Sequence, residues 1–118
     1  MPVLFVCYPK CTTCQKARKW LEGRNIEMTV RDIKLDKPTR GELAAWHKAS
    51  GLPMKKFFNT SGNLYKELKL KDKLPSMTED EMLDLLATDG MLVKRPILVS
   101  GETVLVGFKE ADWEALLP

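Results

Sequence analysis

An apolar run over residues 3–8 passes through Pro9-Lys10 into Cys11-Thr12-Thr13-Cys14, and helical spacing of apolar residues follows from Gln15 to Glu22. This stretch predicts a buried strand that turns straight into a helix, with two cysteines at the junction. The first turn of a helix leaves backbone N–H groups unpaired and carries the positive end of the helix dipole. A thiolate placed there is stabilised, so its pKa falls and it becomes a nucleophile near neutral pH. Cys11 stands at or just before the helix start. Cys14 lies one turn later, within reach of a mixed disulfide formed on Cys11. The pair therefore predicts redox chemistry.

The chain has 118 residues, 44% of them hydrophobic and 30% charged, which suits one soluble domain. The opening Met1-Pro2-Val3-Leu4-Phe5 has neither a basic leader nor an apolar stretch of membrane-spanning length. A cytoplasmic protein away from any membrane is expected, and in that compartment a cycling disulfide is more plausible than a structural one. A net charge of +3 gives no argument for direct nucleic-acid binding.

Further along, residues 28–33 alternate and carry β-branched side chains, which predicts a second strand parallel to the first in a βαβ unit. The inner face of the intervening helix is expected to carry Cys14, Ala17, Leu21 and the stem of Arg18. Thr39 and Glu42 form a capping box ahead of a helix with Leu43, Trp46 and Ala49 on its packed face, stopped by Ser50-Gly51-Leu52-Pro53. Residues 54–74 read as short helical pieces packed through Phe57, Phe58, Leu64, Tyr65, Leu68 and Leu70. Thr78 and Glu81 form a second capping box, followed by an apolar stripe of Met82, Leu85 and Leu86 that ends at Asp89-Gly90. Residues 96–99 and 104–106 flank Ser100-Gly101-Glu102 as a β-hairpin, and residues 110–117 close the chain as a helix anchored by Trp113.

This order, with Arg95-Pro96-Ile97 entering the third strand, resembles a thioredoxin-like fold. In such proteins a cis-proline at that point faces the cysteine pair, and the resemblance puts Pro96 there. The core would comprise about residues 1–35 and 91–118 of a single domain, with a helical insertion at about 36–90. Cys11-Thr12-Thr13-Cys14-Gln15-Lys16-Ala17, the helical insertion, Arg95-Pro96-Ile97, and Val106-Gly107-Phe108 through Leu116-Leu117-Pro118 are similar to the glutaredoxin-coupled arsenate reductase (ArsC) and Spx family.

The family resemblance implies three alternatives. As a thiol–disulfide oxidoreductase, the chain would use Cys11 as nucleophile, Cys14 as resolving thiol and Arg95 to stabilise the Cys11 thiolate. Thr12, Thr13 and Pro96 would shape the site, and glutathione, glutaredoxin or thioredoxin would regenerate the dithiol without a bound cofactor. As an Spx-like regulator, it would bind the α subunit of RNA polymerase under control of a Cys11–Cys14 disulfide. Gly51 aligns approximately with a polymerase-contact glycine, though a helix stop explains it as well. As an arsenate reductase, it would hold the oxyanion with arginines, which bind it in bidentate fashion. Here that set departs from the family pattern. Arg95 matches one arginine, Asn59 stands where another is placed, Lys109 supplies charge without the fork, and Gln15-Lys16 occupy a further position.

Other residues have simpler readings. Cys7 completes a Cys-x3-Cys-x2-Cys spacing known from radical-SAM iron–sulfur sites, but it falls within a strand and the chain is too short for the barrel those enzymes need. Zinc would want a fourth ligand that the distant His47 does not supply, so no metal is expected. Thr12 and Thr13 are placed to cap the helix or to hydrogen-bond the thiolate. Lys66, Lys69, Lys71 and Lys73 read as a solvated face, and the chain as a monomer.

Overall fold

A computed structural model describes residues 2–117. Four strands form one sheet in the order β2-β1-β3-β4. β1 (Val3–Cys7) is internal. It pairs in parallel with β2 (Met28–Asp32) and antiparallel with β3 (Ile97–Ser100), which pairs antiparallel with β4 (Thr103–Val106). Its side chains meet packed elements on both faces, which explains why Val3, Phe5, Val6 and Cys7 are all buried and the run shows no polar alternation. The thioredoxin-like arrangement expected from the sequence is present, and the Arg95–Pro96 peptide bond is cis.

α1 (Thr12–Gly23) crosses from β1 to β2 and buries Cys14, Ala17 and Leu21. Arg18 departs from the expected inner face. It is exposed and pairs with Glu22 at 3.7 Å, one helical turn on, because Cys14, Ala17 and Leu21 already fill the stripe facing the sheet. On the same side of the sheet, α6 (Glu110–Leu116) inserts Trp113 among Phe5, Cys7, Leu21 and Leu98. The Trp113 ring meets Phe108 edge-on at 4.8 Å and Phe5 at 6.3 Å, and its Nε1–H donates to the Gly107 carbonyl.

The opposite face is covered by the helical stretch between β2 and β3. α2 (Arg40–Ser50) begins at a Thr39–Glu42 capping box and stops at Gly51, which takes the left-handed conformation (φ 70°) that ends helices cheaply only in glycine. Short α3 (Asn63–Glu67) and α4 (Leu70–Lys73) follow a single 3-10 turn at Met54–Phe57. α5 (Glu79–Leu86) starts at the second capping box, Thr78 with Glu81. Leu43, Trp46, Phe57, Phe58, Leu70, Leu83 and Leu86 pack with Val6, Ile97 and Val104 into one apolar cluster. Ala49 and Leu68 stay outside it: Ala49 is exposed and Leu68 is 37% exposed, since each falls just past the end of the packed stripe of its segment.

Two contacts tie this layer to the sheet. Arg31 on β2 forks onto Glu42 of α2 and donates to the carbonyls of Asp36 and Lys37, which fixes the connection between β2 and α2. Gly90 lies against the chain just after β2, where a β-carbon would fall 1.7 Å from the Ile33 carbonyl oxygen. No helix among the described residues is long and apolar enough to cross a membrane.

Candidate functional site

The end of β1 and the start of α1 are joined by a tight turn. The Cys11 N–H donates to the Tyr8 carbonyl at 2.9 Å, and Gln15 N–H closes the first helical bond onto the Cys11 carbonyl at 3.0 Å. The Gln15 side chain reaches back to the Pro9 carbonyl at 2.9 Å and clamps the loop. Cys11 is thereby the N-cap of α1, in extended conformation (φ −82°, ψ 124°). At most N-caps a hydroxyl or carboxylate oxygen faces the free amides of the first turn. Here the acceptor is sulfur. It closes no cap bond of standard geometry, yet the Thr13 and Cys14 amides lie close enough to favour its anion. The first turn carries no acidic residue to offset the helix dipole.

The two thiols are unequal. Partial burial pushes the Cys11 thiol up, but the Cys14 amide, the Cys14 thiol, Arg95 and the Thr13 amide together outweigh it and bring Cys11 below its ordinary value. Cys14 is buried among Cys7, Ala17 and Leu21. Burial, only partly opposed by the Tyr8 amide, pushes it up to about 12, with the neighbouring Cys11 charge adding to the rise. Cys11 is therefore the sulfur that loses its proton first, with Cys14 still protonated beside it. Both thiols are free in this structure.

Arg95 is brought to the same place by the cis-Pro96 turn. Its guanidinium lies 5.2 Å from the Tyr8 ring centre and reaches the Met91 carbonyl at 3.5 Å, while its hydrogen bonding lowers Cys11. Tyr8 is the residue that sequence reading did not single out. It looks like the last residue of an apolar strand, but its ring supports Arg95 and its amide faces Cys14. The Thr12 and Thr13 side chains are exposed and make no hydrogen bond among the described residues, so Thr13 acts on Cys11 through its backbone.

The other expected residues sit elsewhere. Asn59 is held beside Leu92 by its N–H, which donates to the Leu92 carbonyl at 2.8 Å, and its side-chain oxygen accepts from Ser61. Lys109 caps the start of α6 and lines a cleft along β4 to which Cys11, Cys14 and Arg95 do not contribute. No hydrogen bond or ion pair links Asn59 or Lys109 to Cys11 or Arg95 among the described residues. Cys7 is buried in β1; burial raises it, Arg18 opposes the rise, and Asp32 and Cys11 reinforce it. It has the character of a packed apolar thiol. Among the described residues no group of three or more His, Cys, Asp or Glu side chains is placed to share a metal ion.

Residues 7–116 match the model of the ArsC family. The protein YusI of Bacillus subtilis is 54% identical to the chain over 97% of each. The regulatory protein MgsR of the same organism is 32% identical over 92% of the chain and 84% of its own length. Among solved structures, an ArsC family related protein from Bacteroides fragilis superposes with a TM-score of 0.96 at 62% identity, covering 98% of each chain. A protein from Streptococcus mutans described as a possible arsenate reductase gives 0.86 at 42% identity, covering 95% of this chain and 97% of that one.

Proposed function

The chain belongs to the ArsC family, and from that membership we propose that it is a thiol–disulfide oxidoreductase of the cytoplasm in which Cys11 attacks and Cys14 resolves. The observation that carries this reading is the split between the two sulfurs: one half-exposed and held toward its anion, the other buried and held protonated beside it. In the first step the Cys11 thiolate forms a bond to one sulfur of a substrate disulfide and the other sulfur leaves as a thiolate. Consumption of the Cys11 charge removes one cause of the raised Cys14 pKa. Cys14 then gives up its proton and attacks the Cys11 sulfur, and the second substrate thiol leaves carrying a proton. The protein ends as a Cys11–Cys14 disulfide and the substrate as two thiols, the first leaving thiolate having taken its proton from solvent. Glutathione, glutaredoxin or thioredoxin returns the dithiol, and the cycle needs no bound cofactor.

Intact-mass analysis tests this directly. Reduced protein mixed with glutathione disulfide is expected to end as the internal disulfide, whereas Cys14→Ser is expected to stop at a glutathione adduct on Cys11. Absence of any adduct in Cys14→Ser would remove the reading.

A second reading is favoured by the likeness to MgsR, a protein named as regulatory. In it the same pair is a switch, and the oxidised or reduced chain binds the α subunit of RNA polymerase. Co-elution with purified α subunit that changes with the state of Cys11 and Cys14 supports it, and no complex in either state counts against it. Arsenate reduction, suggested by the Streptococcus mutans structure and by Arg95, is checked by glutaredoxin-coupled NADPH consumption that depends on arsenate and stops in Cys11→Ser.

A further inference from the structure

The two edges of the sheet differ. At one, α2 packs against β4 and Val104 is buried, so that edge is closed. At the other, β2 pairs with β1 on its inner side and with no strand on its outer side. Backbone bonds fix which of its groups face out. Val3 N–H donates to the Glu27 carbonyl at 3.0 Å and Ile33 N–H donates to the Cys7 carbonyl at 2.8 Å, so residues 27 and 33 turn toward β1. Successive residues of a strand alternate, which turns Thr29 and Arg31 the same way and directs Met28, Val30 and Asp32 outward. The Asp32 carbonyl is taken up by the Asp36 N–H at 2.9 Å. No hydrogen bond meets the outward N–H and C=O of Met28 and Val30 among the described residues.

The side chains of this edge form an apolar row. Ile26, Met28 and Val30 fall at alternate positions and share one face. Ile26 and Met28 pack at the margin of the Trp113 cluster, but Val30 lies beyond its cover and is 41% exposed, one of three large apolar side chains left so among the described residues. Charged side chains commonly protect an open edge. Here they are tied down: Arg31 is held by Glu42 and Asp36, and the Asp32 carboxylate accepts from the Lys34 and Leu35 amides.

We propose that the β2 edge joins a second copy of this chain by antiparallel pairing about a two-fold axis at Met28. In that register Met28 exchanges both main-chain bonds with its counterpart, and Val30 N–H meets the Ile26 carbonyl of the other copy. Side chains pair as Val30 with Ile26, Met28 with Met28 and Ile26 with Val30, so the row is its own complement. On the opposite face Thr29 meets Glu27 and Arg31 meets Asn25, and no like charges are opposed. A two-fold axis at Val30 would instead set Met28 against Asp32, whose carbonyl is already bonded, and Ile26 against Lys34. Self-complementarity of apolar row and charge selects a second copy over an unrelated strand. Cys11 follows the end of β1, which runs parallel to β2. Antiparallel joining therefore puts the two Cys11 turns at opposite ends of the joined sheet, both clear of the join.

Sedimentation velocity of the full reduced chain, with amide exchange read by NMR, tests the proposal. The 13.4 kDa chain is expected to sediment as a dimer at about 1 mM and as a monomer at about 1 µM, as suits a short interface. In the dimer the Met28 and Val30 amides are expected to exchange at least about tenfold more slowly than in the monomer. Val30→Lys sets a charge against Ile26 and is expected to weaken association at least about tenfold, whereas Val30→Ile is expected to keep it. Both variants are expected to retain the wild-type Cys11 alkylation curve and, at monomer concentrations, the wild-type melting temperature, which separates lost pairing from lost folding. A monomer at about 1 mM would overturn the proposal. So would a dimer that Val30→Lys leaves intact, or one in which the Met28 and Val30 amides exchange as fast as in the monomer.

Discussion

The backbone N–H of Tyr8 is directed at the sulfur of Cys14, 3.4 Å away, while the Tyr8 carbonyl accepts from the N–H of Cys11. One residue at the end of β1 thus holds both cysteines, and it holds them in different ways. The Cys11 side is tied through backbone so that its sulfur stays at the helix mouth, and the Cys14 side is drawn inward beneath it.

The Cys14 thiol is one of the groups that lower Cys11. Cys14→Ala is therefore expected to move the pH of half-maximal Cys11 alkylation upward, toward the free-thiol value of about 8.5. Cys14→Ser keeps a hydroxyl donor and is expected to move it less. An alkylation curve unchanged in Cys14→Ala would show that the two sulfurs do not interact.

Arg95 acts on Cys11 from across the cis-proline turn while resting on Tyr8. Arg95→Ala is expected to raise the Cys11 half-reaction pH and slow exchange near neutrality, with Arg95→Lys intermediate because it keeps the charge and loses the planar stack. Melting temperature distinguishes this from a structural effect, and it is expected to stay close to that of the wild type. A large fall in melting temperature with the alkylation curve unmoved would make Arg95 a structural residue only.

Glu42 is held at about 2 chiefly by the Arg31 fork, against a value of about 4.3 in an unfolded chain. Its folded pKa is depressed, so the stability it contributes is complete above the unfolded value and is lost as pH falls from about 4.3 toward 2. Glu42→Gln retains an acceptor for the Thr39 amide but loses the ion pair. It is expected to lower stability at pH 7 by about 1 kcal/mol, allowing for solvent screening of a partly exposed pair, and to flatten acid unfolding across that range. Urea melts at pH 7 and pH 3 check both expectations.

Gly90 is required by close approach, since its missing β-carbon is the space that the Ile33 carbonyl occupies. Gly90→Ala is expected to cost about 3 kcal/mol or more, because the obstacle is backbone and has no rotamer to move to. A urea midpoint equal to the wild type would mean that the two segments part readily.

The elements that follow a strong period were legible in the sequence. The apolar run of β1, the capping boxes at Thr39 and Thr78, and the hairpin around Gly101 each carry a local chemical signal that tertiary structure did not override. Within the site, Cys11 and Cys14 were legible from their spacing and Arg95 and Pro96 from the family resemblance, and the structure sets Arg95 beside Cys11. Tyr8 was hidden because its two tasks belong to its backbone and its ring face, neither of which leaves a pattern in a string of residues. Arg18, Ala49 and Leu68 show the limit of reading packed faces by spacing alone, since the width of a buried stripe is set by what lies opposite.

Redox chemistry at this site requires that Cys11 lose its proton before Cys14 does. Alkylation of reduced protein followed by peptide mapping reads both sites across pH. Cys11 is expected to be half-reactive below about 8.5, with Cys14 unmodified throughout the range in which Cys11 titrates. A Cys11 curve centred at or above the free-thiol value, or Cys14 reacting first, would contradict that requirement.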